Sequence, residues 1–259
     1  MSRSMRANQA FFRAALLAPL VVALVSCVTS ETLPLPKVNP IQATTQIPEA
    51  ELLDVGVHVF DTNIPASIKD DEEALAKKRI YPEVRAAEAS YLPGLLRATL
   101  ESSGQWGAVR VVPEKAIVDV TVDGTILSST GARLVLRINV ADSMGRVWIK
   151  DKEYSGEADL GSYKTEAALQ VRDPFQNVYS EIANDMLAAR QALAATDRRD
   201  IHRVTGLRFA NDFAPEAVKG YLATDPQGMT NVVRLPAEGD PVMTRIARIR
   251  ERDLAVIDT

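Results

Sequence analysis

Residues 117–158 read IVDVTVDGTILSSTGARLVLRINVADSMGRVWIKDKEYSGEA, and this stretch decides the fold. Through Ile117–Ser128, Val118, Val120, Val122 and Ile126 alternate with Asp119, Thr121, Asp123 and Thr125. The turn Ser129–Gly131 leads into Ala132–Asp142, where Leu134, Leu136, Ile138 and Val140 keep the alternation. Ser143–Gly145 turns the chain again into Arg146–Ala158. Successive strand side chains point to opposite faces, so this pattern predicts an antiparallel meander with one dry face and one wet face. Asp119 and Asp123 share a face and lie about 13 Å apart along the strand, too far to share a proton. They are expected to be solvated acids.

Upstream, Leu52–Asp61 (LLDVGVHVFD) predicts a first strand, with Val55, Val57 and Val59 on one face and Gly56, His58 and Phe60 on the other. Acids at Asp70–Glu73 precede bases at Lys77–Arg79, the charge order of a short exposed helix. Glu83–Ser103 predicts a helix of about 20 residues, closed by Gly104, with Tyr91, Leu92, Leu95, Leu96, Thr99 and Leu100 inward. Pro93 demands either a kink or a fresh start near Tyr91. Trp106 is expected to pack on the helix base, and Ala108–Pro113 forms a short strand.

Downstream, Asp173-Pro174-Phe175-Gln176 carries an N-cap, a proline at the first helical position and a glutamine placed to close a capping box. The helix it starts runs to about Ala195. Its inner stripe includes Val178, Tyr179, Ile182, Ala183, Met186, Leu187 and Arg190. The order strand-helix-strand-meander-helix is α+β: a mixed and antiparallel sheet with helices on one face.

Residues 196–259 read as a mainly helical C-terminal extension. Thr196–Asn211 and Phe213–Leu222 have helical character, and Asp225-Pro226-Gln227-Gly228 is a turn. Asp240–Arg252 holds Arg245, Arg248, Arg250 and Arg252, either an exposed helix face or a binder of phosphate or lipid headgroups. The final LAVIDT is strand-like.

The amino terminus gives an address. Residues 1–13 carry Arg3, Arg6 and Arg13 and no acid, and residues 14–25 are apolar, a charged and then apolar order typical of a signal peptide. Leu24, Val25 and Ser26 precede Cys27, the only cysteine of the chain, and this string resembles the lipobox of bacterial lipoproteins. The resemblance implies cleavage after Ser26 and acylation of Cys27, with several acyl chains giving stable anchoring. Val28 follows in place of an inner-membrane retention aspartate, which favours the outer membrane. The expected organisation is a signal peptide at 1–26, a flexible Pro-rich tether at 27–51 (Pro34, Pro36, Pro40, Pro48), the α+β domain at 52–195 and the extension at 196–259.

Composition narrows function by exclusion. The 259 residues are 46% hydrophobic and 5% aromatic, enough for a large core but poor in rings for a stacking cleft. Setting aside the three leader arginines leaves 27 basic against 34 acidic residues, which gives no basic stripe for nucleic acid. The two histidines, His58 and His202, and one cysteine cannot make a conventional zinc site. No P-loop, dinucleotide fingerprint, nucleophile elbow or metalloprotease motif occurs. The expectation is a chain with no catalytic residues, no metal and no cofactor.

An exported chain carrying YLPGLLRATLESSGQWGAVRVVP (91–113), DVTVDGTIL (119–127) and EIANDMLAAR (181–190) resembles a group of periplasmic domains. The group includes the lipoprotein activators of penicillin-binding proteins, the periplasmic domain of CsgG and the amino-terminal domain of TolB. The resemblance covers residues 52–195 and implies action through a protein partner of the cell envelope. The alternatives are an auxiliary lipoprotein of a transport or secretion machine and a cell-envelope hydrolase.

Overall fold

Alternation dictates the sheet, and the sheet is where it was expected. The computed structural model describes residues 36–158 and 173–257. Leu24, Val25, Ser26 and Cys27 lie outside the described residues. The sheet has five strands: β1 (Val55–His58), β2 (Val109–Val112), β3 (Val120–Ser129), β4 (Arg133–Asp142) and β5 (Val147–Glu157). Their spatial order is β2-β1-β3-β4-β5, with β1 parallel to β2 and β3, and the β3-β4-β5 meander antiparallel. The fold is therefore α+β with a mixed sheet. Val120, Val122, Ile126, Leu134, Leu136 and Ile138 are fully buried. The helices α2 (Pro82–Ser102) and α3 (Gln176–Gln191) lie against that core. The short α1 (Glu72–Lys77) is capped by Asp71, whose carboxylate accepts from the Ala74 amide at 3.0 Å.

Four local expectations change. The first strand stops at His58, so Val59 turns outward and Phe60 turns into the core. Pro93 explains the stop. It sits inside an unbroken α2, and having no N–H it leaves the Ala89 carbonyl free. That carbonyl accepts from the Phe60 amide at 3.0 Å, fixing the chain as it leaves β1. Tyr91 faces solvent, 61% exposed, where the inner stripe had been expected to include it. Gln176 closes no capping box; its Nε2 donates to Thr99 Oγ1 of α2 at 2.9 Å, while Asp173 accepts from the Phe175 amide.

β5 departs from simple alternation through two bulges. Asn139 faces Lys150 and Asp151 together, and the register shifts again between Val140 and Ala141. Ile149 and Tyr154 are five apart and would point to opposite faces of a regular strand; the bulge turns both inward, 7% and 3% exposed. Asp151 takes φ 46° there, held by its amide donating to Asn139 Oδ1 at 2.7 Å.

Of the residues expected in the tether, 36–41 lie along α3, and the Ala43 amide then donates to the Ser103 carbonyl at the end of α2. The amides of Val38 and Ile41 donate to Oδ1 of Asn177 and Asn184, and those side chains donate back to the carbonyls of Pro36 and Asn39. The two asparagines are seven residues apart, two helical turns, and so share a stripe. Each carboxamide offers one donor face and one acceptor face to an extended backbone.

The C-terminal extension is built into the domain. α4 (Ala195–Phe213) places Ile201 and Val204 in the main core. After the one-turn α5 (Pro215–Val218), β6 (Leu222–Thr224) and β7 (Thr230–Val232) form a hairpin around the 225–228 turn. α6 (Pro241–Ile257) absorbs most of the string expected to be strand-like.

Gly124 offers a clean test of the β1–β3 packing. A Cβ there would lie 2.4 Å from the Phe60 ring. Gly124→Val should cost about 1–3 kcal/mol in urea unfolding with an unchanged m-value. Parental stability would show that Phe60 does not seat there.

Candidate functional site

Two aspartates at the mouths of the parallel strands organise the charged chemistry. Asp54 precedes β1 and Asp119 precedes β3, each followed by valine, any residue and valine. The Asp54 amide donates to Asp119 Oδ2 at 2.9 Å, and the Asp54 carbonyl accepts from the Val120 amide at 3.0 Å. Asp54 Oδ1 accepts from the Ala108 amide at 2.8 Å, which draws in the start of β2. Asp119, expected on the wet face, is fully buried, because this carboxylate binds the neighbouring chain in place of water.

Two distant helical residues join this corner. His202 of α4 places Nδ1 2.9 Å from Asp119 Oδ2, and Arg250 of α6 places Nη2 3.7 Å from Asp54 Oδ2. Burial works against the Asp119 carboxylate. The hydrogen bond and charge of His202, with the Asp54 amide, outweigh it and hold the acid below its usual range. The same hydrogen bond to Asp119 raises His202, against burial and the nearby Arg250 charge. The acid of this pair is inaccessible and its imidazole half-exposed, and the two form an ion pair when the imidazole is protonated.

Such a dyad orients an imidazole, and a nucleophile beside it would give hydrolytic chemistry. Of the neighbouring hydroxyls, Ser143 and Thr205 both donate to the Ile201 carbonyl, at 2.8 and 3.0 Å, and Thr205 also helps hold the Asp119 carboxylate low. Asp123 pairs separately with His58, Oδ1 to Nδ1 at 2.7 Å. His58, expected on the polar side of its strand, is only 9% exposed. The two histidine–aspartate pairs thus form two centres spaced along β3. Among the described residues no group of three or more histidine, cysteine, aspartate or glutamate side chains could hold a metal.

A second charged knot lies nearby. Glu51 accepts from Arg198 Nη2 at 2.6 Å, and its carboxyl is held low by that bond. Arg190 donates to the Glu51 carbonyl and stands 5.8 Å from the Trp106 ring centre, with burial lowering its proton affinity. Trp106 is buried and pairs with Trp148 at 6.3 Å, in keeping with its expected packing role.

The outward face of α6 is different. Arg245, Arg248 and Arg252 are exposed and have no carboxylate partner among the described residues; Arg252 Nε donates to the Arg248 carbonyl. Their spacing, i, i+3 and i+7, puts them on one stripe. Beside that stripe a groove of about 540 Å³ runs between the end of α4 and the start of α6. Phe213 and Ala214 line one wall, Val242, Arg245 and Ile249 the other, and Ile246 the floor. Phe213 and Val242 are 52% and 43% exposed, while Ile246 in the floor is buried. A concavity of about 420 Å³ between β5 and α3 is lined by polar groups, several of them paired: Asp185 takes both Lys152 and Tyr154, and Glu153 takes Arg137.

No family model matches the sequence, and no curated protein matches it. Among solved structures, a Xanthomonas campestris protein of the DUF330 family is similar at 12% identity and TM-score 0.34, covering 63% of this chain and 95% of that one. The PelC dodecamer from Paraburkholderia phytofirmans is similar at 14% identity and TM-score 0.30, over 61% of this chain and 95% of that one. A hypothetical protein from Chlamydia trachomatis follows at 10% identity and TM-score 0.28, over 53% and 94%. None of these is a penicillin-binding-protein activator, CsgG or TolB, and likeness at this level assigns neither family nor function.

The histidine–aspartate pair gives the corner a pH signature. Raising His202 above its ordinary value near 6.5 means its contribution is complete below that pH and disappears as pH rises through the folded value. The melting-temperature gap between the parent and His202→Gln should therefore be widest near pH 5–6 and close toward pH 9. A gap that stays constant or widens with pH would show that the ion pair does not form.

Proposed function

We propose that this chain is a lipid-anchored binding protein at the periplasmic face of the outer membrane, acting in envelope assembly or maintenance through a protein partner. Acylated Cys27 holds it to the membrane, and the groove between α4 and α6 receives the partner. The observation that carries this reading is the pairing of an open apolar groove with three exposed guanidiniums that have no carboxylate partner among the described residues. An exposed apolar surface is costly to keep bare, and its combination with unpaired charge is the ordinary make-up of a recognition surface.

The rival reading, an oligomeric accessory of a transport machine joined through its sheet edges, has less support. Of the two edge strands, β2 and β5, β5 carries Lys150, Asp151, Lys152 and Glu153 and two bulges, features that oppose strand addition at that edge.

Two experiments test the parts separately. Cys27→Ala should leave unprocessed precursor with no palmitate label; normal processing and labelling would overturn the anchor. A photocrosslinking residue in place of Val242 should capture one envelope protein in intact cells, and the same residue in place of Arg137, on the wet sheet face, should not. Equal capture at both positions, or none at 242, would overturn the docking site.

A further inference from the structure

We infer that the partner segment seated in the α4/α6 groove is an acidic amphipathic helix, with carboxylates about one helical turn apart along one flank. This rests on the docking reading above and names the chemistry of the occupant. Arg245, Arg248 and Arg252 extend along α6 for two turns, roughly 10 Å. Carboxylates at i, i+3 or i+4, and i+7 of a helix laid alongside match that spacing. The apolar flank of the same helix then faces Phe213, Val242 and Ile249, over the buried floor formed by Ile246.

Shape separates this occupant from an anionic membrane. A bilayer surface is met by an apolar face that stands proud of its polar flanks. Here Ile246 is buried, and the apolar side chains line a concavity between two walls, which suits inserted side chains. Charge separates it from a basic or neutral helix. The chain after the leader carries 27 basic against 34 acidic residues, so the arginine stripe is a local reversal of the protein's own field. A basic segment would be drawn to most of the surface and repelled here. Exposed ion pairs individually contribute little, so affinity comes from the apolar contacts, while the arginines set orientation, association rate and salt dependence.

Three 18-residue helical peptides sharing one leucine stripe, with glutamate, glutamine or lysine on its flank, test this by fluorescence anisotropy against the full-length protein in mild detergent. The glutamate peptide should bind at least tenfold more tightly than the other two, and its affinity should fall several-fold between 50 and 300 mM salt. Arg245→Glu/Arg248→Glu/Arg252→Glu should abolish this preference, Arg→Lys at the same positions should keep most of it, and Phe213→Ser should weaken all three peptides alike. Equal or stronger binding of the lysine or glutamine peptide overturns the inference while leaving the docking reading in place. No binding by any peptide, together with no capture at position 242, overturns both. Flotation on phosphatidylglycerol vesicles that is lost in the triple-glutamate variant, with the glutamate peptide unbound, assigns the stripe to lipid and overturns the inference.

Discussion

A buried carboxylate at the start of β3 is the point at which strands, helices and the meander of this molecule meet. Asp119 has no access to water and accepts from the chain entering β1 and from a histidine on α4. Asp54, one strand over, repeats the arrangement with the chain entering β2 and an arginine on α6. Three parallel strands and two later helices are thereby registered to one corner. The amide of Ser143 in the β4–β5 turn donates to the Asp119 carbonyl at 2.8 Å, bringing the meander to the same point. A buried acid is unfavourable unless its oxygens are met; Oδ2 takes both the Asp54 amide and His202, while Oδ1 has no hydrogen-bond partner among the described residues, so losing either partner of Oδ2 strands the charge further. The C-terminal helices are thus satisfiers of a charge inside the domain as well as a layer over it.

The legible parts of the fold were those governed by a single local rule. Leu134, Leu136, Ile138 and Val140 alternate, and all four are buried. The stripe from Val178 to Arg190 repeats at helical spacing and packs inward as such. What escaped had two causes that lie far apart in sequence. Pro93 looked like a helix fault until the carbonyl it frees met the Phe60 amide. Asn177 and Asn184 stand off the apolar stripe of α3, and the backbone they hold comes from residues 36–41, far upstream. The bulges of β5 are invisible to period-two counting because they are defined by the partner strand. Of the charged corner, only the repeated Asp-Val-x-Val at the heads of β1 and β3 was open to reading, and it needed the parallel pairing to acquire meaning.

Charge along α6 divides by direction. Arg250 turns inward to Asp54, only 16% of its side chain exposed, and belongs to the architecture. Its three neighbours turn outward and belong to whatever the surface meets. Reading the run as one basic patch merges these two roles, and the division follows from helical geometry alone: Arg250 stands on the side of α6 opposite Arg248. The hydrophobic floor beside the outward stripe continues the small core of Leu207, Ala210, Val218 and Tyr221, so the groove is set in packed structure and not in a loop.

The asparagine clamp on α3 also sets a length scale. With an acyl group on Cys27, the clamp at Pro36 leaves only residues 28–35 between lipid and domain, against the 25 or so first assigned to the tether. At full extension that leash reaches about 30 Å in place of about 80 Å. If Cys27 carries the lipid, a stretch of that length keeps the domain close to the membrane surface, and a partner has to come within that reach to be met.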